Sequence, residues 1–257
     1  MRIALYQFDS SNGIKKNKES IVNAMCQAAI QDADIIVFQE CALCGYPFVE
    51  IPDIEAVNFD EIEVSLNDIR QAAKSCKIYT ALGTLRKEQW NIYNSMILIS
   101  PEGELTGHYD KTALWGWDRE SYTAGRSNGV FDICGEKIGF RICFDVRFPE
   151  LFRSLYKEGV TLCFVSFCDV SDTENDDRLS LIEGHLRTRA VENVMAVASV
   201  NSISGFQTAP TAVYDHNGKK VASAPNNFES ILIYDYKKPE LDFGMEGRIC
   251  VSNDLIK

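Results

Sequence analysis

The sequence contains 257 residues, of which 46% are hydrophobic and 25% are charged, proportions typical of a globular protein with a sizeable core. The formal net charge of −11 excludes nucleic acid as an electrostatic partner, because a protein that binds phosphates needs a basic face. No apolar run approaches the ~18 residues that span a bilayer, and the apolar part of the N-terminal MRIALYQFDSS is too short for a signal peptide. We therefore expect a cytoplasmic protein without a membrane partner. Because no linker-like composition interrupts the chain, we also expect one domain over residues 1–257.

Short apolar runs alternate along the chain with stretches of helical periodicity. Strands are predicted over 2–8, 34–40, 78–86, 94–103, 105–111, 136–144, 160–167 and 194–203. Helices are predicted over 14–33, 61–77, 149–159, with Gly159 at the cap, and 179–193. The segment 211–223 predicts a hairpin around an Asn-Gly turn, and the charge run 172–178 predicts a surface loop. This alternation is typical of the α/β class.

The nine cysteines predict free thiols in a reducing compartment. Their number is odd, and most lie inside apolar segments, where cysteine behaves as a small buried hydrophobe. One CxxC pair occurs, Cys41 and Cys44, and the three histidines are scattered, so we predict no metal site. A thiol redox role for this pair is an alternative, although no thioredoxin-like pattern surrounds it.

Cys143 is the first candidate for chemistry, because it lies between a predicted strand and Pro149, a residue that suits the first turn of a helix. A cysteine in such a corner faces the positive end of the helix, which favours the thiolate. The tight turn also leaves backbone N–H groups free to bind an oxyanion. Taken alone, however, this stretch fits a buried structural cysteine better than a nucleophile.

Glu40 and Lys111 are also candidate catalytic residues, and each has a structural interpretation beside the functional one. Glu40 ends the apolar run DIIVFQE, and a carboxyl group at the edge of a core has a raised pKa that suits proton transfer near neutral pH. A rim acid with satisfied hydrogen bonds is an equally good interpretation. Lys111 ends GHYDK, where a solvated loop charge is the commoner interpretation and a fixed positive charge for an oxyanion is the functional one.

Taken together, three stretches resemble the nitrilase superfamily of carbon–nitrogen hydrolases, which uses a Glu–Lys–Cys triad in this chain order. They are VFQECALCGYP around Glu40, YDKTALWGWDRESYTAG around Lys111 and GFRICFDVRFPELFR around Cys143. RTRAVENVMAVASVN and AVYDHNGKKVAS follow in the expected order, so the resemblance runs from about residue 1 to about residue 235. It implies a four-layer αββα sandwich, a homodimer or larger homo-oligomer, and no metal or organic cofactor.

The resemblance also implies roles for the triad. Cys143 attacks the carbonyl or nitrile carbon, and Glu40 accepts the thiol proton, passes it to the leaving ammonia and then activates a water. Lys111 and the backbone N–H of Phe144 stabilise the tetrahedral oxyanion, and the acyl thioester is finally hydrolysed.

Many members of the superfamily carry a second glutamate, seven residues before a glycine. Counting back from Gly125 places Asp118 at that position, whereas Glu120 is two positions out of register. We take Asp118 as the equivalent residue. Its side chain is one methylene shorter than that of glutamate, and we expect it to reach the site less well.

Substrate-lining positions that match the superfamily are Tyr46, Arg147, Phe167 and Cys168. The apolar character of Phe167 and Cys168 implies a small or partly apolar acyl group. For Arg147 we favour a bracing role, in which it holds the turn after Cys143 through carboxylates such as Glu150.

The chain resembles most the small bacterial amidases, including those that act on the ω-amides of dicarboxylic acids. We therefore predict a hydrolase that cleaves a small linear amide, its small-molecule partner, to a carboxylate and ammonia. An N-carbamoyl-amine hydrolase is the alternative within the superfamily, and a non-catalytic relative is a more distant one, supported by the change to Asp118. The sequence leaves open which amide is cleaved and how many subunits assemble.

Overall fold

The computed structural model describes residues 1–255, and its framework is two six-stranded sheets. The first sheet contains, in spatial order, β14 (Ser230–Asp235), β1 (Arg2–Gln7), β2 (Ile35–Phe38), β3 (Tyr79–Glu88), β4 (Asn91–Ile99) and β5 (Leu105–Asp110). The second contains β13 (Lys220–Ser223), β12 (Ala212–Tyr214), β10 (Ala196–Asn201), β8 (Leu162–Phe167), β7 (Glu136–Ile142) and β6 (Val130–Ile133). A small antiparallel pair is formed by β9 (Val170–Ser171) and β11 (Phe206–Gln207).

Helices cover the outer face of each sheet. The first sheet is covered by α1 (Ile14–Ile30) and α2 (Phe59–Cys76), and the second by α4 (Pro149–Lys157) and α5 (Asp176–Asn193). A single turn, α3 (Asp118–Ser121), lies beside the candidate site, and α6 (Phe243–Leu255) contacts α4 through the Tyr156 hydroxyl. The predicted four-layer αββα sandwich is therefore confirmed.

Both faces of the central strands are buried, which explains why they read as continuous apolar runs. In β1, Ile3 and Leu5 belong to the core between the two sheets, whereas Ala4 and Tyr6 belong to the core under α1 and α2. Successive side chains of a strand point to opposite faces, so one strand contributes to two layers of core.

The carboxyl ends of the parallel strands bring the candidate residues together. Strand β2 lies parallel to β1 and β3, and β8 lies parallel to β7 and β10. The two sheets touch where β2 and β8 end, since the Ser166 hydroxyl donates to the carbonyl of Phe38 at 2.9 Å. Glu40 follows β2 and Cys143 follows β7 at this edge.

Every predicted strand and helix is present, with ends that shift by a few residues. Helix α1 ends at Ile30 rather than at residue 33, because Asp32 takes a left-handed backbone conformation with φ 57°. The surface loop predicted over 172–178 is wrong in its second half, where the Asn175 side chain caps α5 by accepting the N–H of Arg178. Strands β6, β9, β11 and β14 and helices α3 and α6 were not predicted.

The cysteines are all free thiols, as predicted, but most of them are not buried. Four are buried, whereas Cys26, Cys134 and Cys250 are exposed, and Cys76 and Cys143 are partly accessible. Among the described residues, no helix is both long enough and apolar enough to cross a bilayer. Within the same range, no cluster of three or more potential metal ligands occurs.

Candidate active site

Cys143 occupies a strained corner between β7 and a short 3₁₀ turn over Cys143–Arg147. Its φ of 44° lies in the left-handed region, which non-glycine residues adopt at a cost of roughly 1–3 kcal/mol. Pro149 is the first residue of α4, as the sequence predicts. The strand therefore delivers the sulfur to the mouth of a pocket and then turns sharply away.

Asp145 holds this corner in place. Its fully buried carboxylate accepts hydrogen bonds from the backbone N–H of Ile142 at 2.9 Å and from the Tyr109 hydroxyl at 2.7 Å. It also accepts the N–H of Ala113 at 2.7 Å, which ties the corner to the segment that carries Lys111. Asp145 was not predicted as part of the site, although an acid two residues after a candidate nucleophile, in the first turn, is a recognisable signal.

Glu40 is almost completely buried, and every polar contact of its carboxylate comes from a donor. Oε1 accepts from the Lys111 ammonium at 2.8 Å and from the Asn94 amide at 2.7 Å, and Oε2 accepts the backbone N–H of Cys168 at 2.9 Å. Its own N–H donates to the carbonyl of Phe167 at 3.3 Å. These contacts fix the carboxylate at the junction of the two sheets.

Lys111 is the centre of a buried ionic cluster. Its ammonium donates to Glu40 at 2.8 Å and to Asp118 at 2.7 Å, and only 1% of its side chain is exposed. The loop that follows closes on it, since the N–H of Gly125 donates to the Lys111 carbonyl at 2.9 Å. A Cβ at Gly125 would lie 2.0 Å from the carbonyl oxygen of Asp110, so this position requires glycine.

Asp118 is the fourth member of the cluster, beside Cys143, Glu40 and Lys111. Its carboxylate is fully buried and accepts from Lys111 at 2.7 Å and from the Tyr46 hydroxyl at 2.6 Å. The backbone N–H of Trp115 adds a contact at 3.3 Å. The expectation that an aspartate reaches less well is wrong, because α3 carries its carboxylate to direct contact with the ammonium.

The protonation preferences of the cluster follow from burial and from the neighbouring charges. Burial raises the pKa of Glu40, and Asp118 adds to the rise while Lys111 opposes it. Burial opposes the charge on Lys111, but the negative charges of Glu40, Cys143 and Asp118 outweigh it and raise the pKa of Lys111 well above its ordinary value. The raised pKa predicted for Glu40 is confirmed.

The predicted depression of the Cys143 pKa is wrong. Burial and then the negative charge of Glu40 raise the pKa of the Cys143 thiol well above its usual range, and Lys111 opposes them only in part. The helix that was expected to favour the thiolate begins only at Pro149, after the 3₁₀ turn over Cys143–Arg147. A resting thiol needs a base, and Glu40 is the nearby carboxylate whose raised pKa suits that task.

A pocket of about 110 Å³ opens onto this cluster. Of the predicted lining residues, Tyr46, Arg147 and Cys168 contribute to its wall, and the catalytic candidates Lys111, Cys143 and Phe144 line it as well. Trp115 and Trp117, which pack edge to face with ring centroids 4.6 Å apart, form an aromatic wall that was not predicted.

Two arginines lie in the pocket wall in different electrostatic settings. Arg178 makes a two-point ion pair with Asp169, at 2.7 and 2.9 Å. Arg147 makes no ion pair with Glu150, so the bracing role favoured for it is wrong; its guanidinium lies 5.8 Å from the ring centre of Phe144. Arg147 therefore places a positive charge in the pocket wall.

Phe167 does not line the pocket, contrary to the sequence prediction. Its side chain is fully buried in the core between the second sheet and its helices. The contribution of Phe167 to the site is its backbone carbonyl, which accepts the N–H of Glu40.

The model of the family described as carbon–nitrogen hydrolase matches residues 2–241. The chain belongs to the carbon–nitrogen hydrolase family. It is 28% identical over 204 residues to an (R)-stereoselective amidase from Pseudomonas sp, covering 79% of this chain and 71% of that protein. It is 28% identical over 204 residues to 2-oxoglutaramate amidase from Bacillus subtilis (strain 168), covering 77% of this chain and 75% of that protein.

A solved structure of a variant amidase from Nesterenkonia sp. AN1 has the same fold. The TM-score is 0.82 at 21% sequence identity, and the alignment covers 99% of each chain. That structure shows acrylamide added to the active-site cysteine of the Nesterenkonia protein. Family membership confirms the predicted enzyme class, a hydrolase of carbon–nitrogen bonds.

Two features of this carbon–nitrogen hydrolase had no local signal in the sequence. Asn94 lies in the middle of the β3–β4 hairpin and contacts Glu40 only because the hairpin aligns with the end of β2. The ion pair of Asp169 and Arg178 joins the segment after β8 to the first turn of α5. Of the two residues, only Arg178 lies in the run 172–178 that was predicted to be a surface loop.

Proposed function

We propose that the protein is an amidase that hydrolyses small linear amides through a thioester on Cys143. The observation that carries this proposal is the convergence, at one pocket, of a thiol, a buried carboxylate of raised pKa and a buried ammonium. The amidases among its relatives support the same activity.

In the proposed reaction, Glu40 accepts the proton of the Cys143 thiol as the sulfur attacks the amide carbon. The oxyanion that forms is stabilised by the Lys111 ammonium and by the backbone N–H of Phe144, which follows Cys143 in the 3₁₀ turn. Glu40 then passes the proton to the leaving ammonia. A water molecule, deprotonated by the same carboxylate, hydrolyses the thioester and releases the carboxylic acid.

The thiol redox alternative has no support in the geometry of Cys41 and Cys44. Both residues are buried, and burial raises the pKa of Cys41 well above its usual range, whereas a redox CxxC needs an accessible thiolate. The non-catalytic alternative loses its argument as well, because Asp118 contacts Lys111 directly.

We further propose that the preferred amides carry a carboxylate at the end remote from the scissile bond. Arg147 supports this, because it lies in the pocket wall without the pairing to Glu150 that the sequence suggested. A guanidinium binds a carboxylate in a planar, two-point geometry. The relation to 2-oxoglutaramate amidase from Bacillus subtilis points in the same direction.

The first experiment measures ammonia release from four substrate classes: ω-amides of dicarboxylic acids, simple aliphatic amides, N-carbamoyl amines and nitriles. We expect release from the amides, fastest from the ω-amides, and none with Cys143→Ala. Release from N-carbamoyl amines alone, together with carbon dioxide, would establish the alternative hydrolase. No release from any class by folded, reduced protein would refute the amidase proposal.

The second experiment tests the carboxylate preference with Arg147→Met, which removes the charge and keeps a long apolar side chain. We expect KM for ω-amides to rise at least tenfold, because the variant loses both charge-assisted hydrogen bonds and each contributes about 1.5–3 kcal/mol, while KM for simple aliphatic amides stays the same. An equal change in KM for both substrate classes would show that Arg147 shapes the pocket without binding the carboxylate.

Homo-oligomerisation and a cytoplasmic location remain part of the proposal, as does a single domain over residues 1–257. Nine free thiols support a reducing compartment. Light scattering on the purified protein would give the subunit number, with a homodimer as the smallest expected assembly.

A further inference from the structure

A pair of thiols lies on the outer surface of the layer formed by α1 and α2. This layer covers the face of the first sheet that points away from the second sheet. The Sγ atoms of Cys26 in α1 and Cys76 at the end of α2 are 3.4 Å apart. Cys26 is exposed and Cys76 is partly accessible. Neither residue has a place in the reaction proposed above.

The two helices run side by side in register, which explains why the thiols meet. Helices α1 and α2 each lead back from one parallel strand of the first sheet to the next, so they point in the same direction. Lys18 and Asp68 form an ion pair across the same seam at 2.5 Å. Lys18 to Asp68 and Cys26 to Cys76 are both separated by 50 residues in sequence.

The seam between these pairs is packed. Val22 and Ala72 lie midway between them on their respective helices, again 50 positions apart, and both pack against the core under the helices. Residues at i, i+4 and i+8 share one face of a helix. The ion pair, the two apolar residues and the pair of thiols therefore lie along one stripe about 12 Å long. The stripe fixes the spacing of the helices at the thiols.

We propose that Cys26 and Cys76 form a reversible disulfide that tethers α1 to α2. A disulfide bond is about 2.05 Å long, so the two sulfurs must approach by roughly 1.4 Å from their present separation. We take rotation of the two accessible side chains about χ1 to provide this movement. The oxidant is a low-molecular-weight disulfide such as oxidised glutathione.

The chemistry proceeds by two thiol–disulfide exchanges. The Cys26 thiolate attacks one sulfur of oxidised glutathione, which gives a mixed disulfide on Cys26 and releases one glutathione thiolate. Cys76 then loses its proton and attacks the Cys26 sulfur, and the second glutathione leaves. In total, two protein thiols are oxidised to one disulfide and one oxidised glutathione is reduced to two thiols.

The order of the steps follows from the surroundings of the two thiols. Burial, the hydrogen bond to Cys26 and the charge of Cys26 raise the pKa of Cys76 to about 11. The exposed Cys26 therefore meets the oxidant first. Once Cys26 is in the mixed disulfide, it no longer places a negative charge beside Cys76, so the second attack becomes easier.

The test equilibrates the full chain in glutathione buffers of increasing oxidised fraction, alkylates the remaining thiols and digests the protein with trypsin without reduction. Trypsin leaves Cys76 in peptide 75–77, and we expect this peptide linked to 19–70. Because peptide 19–70 also contains Cys41 and Cys44, Cys26→Ser and Cys76→Ser are measured in parallel, and both should lose the link. Cys250→Ser, which removes another exposed helical thiol, should retain it.

The functional readout is the thermal midpoint of unfolding. We expect the oxidised wild-type chain to melt about 5 °C or more above the reduced chain, because the tether closes a long loop in the unfolded state. Cys26→Ser should show no such difference. A wild-type chain in which Cys26 carries glutathione without any link to 75–77 would overturn the proposal, as would a link that leaves the midpoint unchanged; neither result depends on amidase activity.

Discussion

Replacing Asp118 by asparagine tests whether the fourth member of the buried cluster acts through its charge. Asparagine has the same shape, and its amide oxygen can still accept from Lys111 while its NH₂ group donates to the Tyr46 hydroxyl. The variant should therefore fold, with the ion pair to Lys111 reduced to a hydrogen bond from the ammonium to a neutral amide oxygen. The difference between these two kinds of bond is about 1–2 kcal/mol, which corresponds to a fall of roughly 5- to 30-fold in kcat/KM.

The pH dependence gives the sharper readout of the same change. Activity requires ionised Glu40, so it is lost as the pH falls through the pKa of Glu40. The negative charge of Asp118 helps to raise that pKa, and removing it lowers the pKa of Glu40. We therefore expect the acid limb of the profile of kcat/KM against pH to move to lower pH in Asp118→Asn.

The matched control is Asp118→Glu, which keeps the charge and adds one methylene. It should retain the acid limb of the wild type, whatever its effect on rate. Ammonia release across the pH range measures both quantities, and circular dichroism confirms that each variant is folded. If folded Asp118→Asn keeps the wild-type kcat/KM and an unmoved acid limb, the charge of Asp118 has no part in the reaction.

Three further substitutions separate the roles of neighbouring residues. Glu40→Gln removes the proposed base and should lower kcat for amide hydrolysis by about 10²- to 10⁴-fold, and a fall of less than tenfold would contradict that role. Asn94→Ala removes a donor to the ionised Glu40, so the acid limb should move to higher pH, opposite to Asp118→Asn; a shift to lower pH would refute this account of the contact. Phe167→Ala should lower the free energy of unfolding by about 3–5 kcal/mol in a urea titration, because it opens a cavity in the outer core. Its KM for small amides should stay the same. A raised KM would show that Phe167 lines the pocket after all.

The architecture was largely predictable because local patterns determine it. Apolar runs and helical periodicity located most of the strands and helices from β1 to the hairpin of β12 and β13, but not the short elements β6, α3, β9 and β11. The order of three motifs indicated the four layers. The faces of the strands were not predictable in the same way. Every residue of β8 is buried, so the period of two that tells inside from outside is lost, and it could not correct the lining position that the resemblance implied for Phe167.

The contacts within the site depended on geometry that spacing does not contain. Arg147 and Glu150 are three residues apart, a separation that brings side chains together on a helix. Arg147, however, ends a 3₁₀ turn, and Phe148 is extended before α4 begins, so the helical rule does not apply. The direction of the Cys143 pKa was missed for a related reason, since burial depends on the whole sandwich and the sequence shows only the nearby proline.

The composition of the buried cluster explains how a thiol of raised pKa can act as a nucleophile. Before reaction the cluster holds the negative charges of Glu40 and Asp118 and the positive charge of Lys111. Transfer of the thiol proton to Glu40 moves one negative charge from carboxylate to sulfur without changing the net charge of the buried group. Lys111, whose own pKa is raised by both partners in this exchange, stays charged throughout and attracts the negative charge in either position. Asp118 keeps the ammonium in place while Glu40 is neutral, which is why we expect its charge, and not only its shape, to matter.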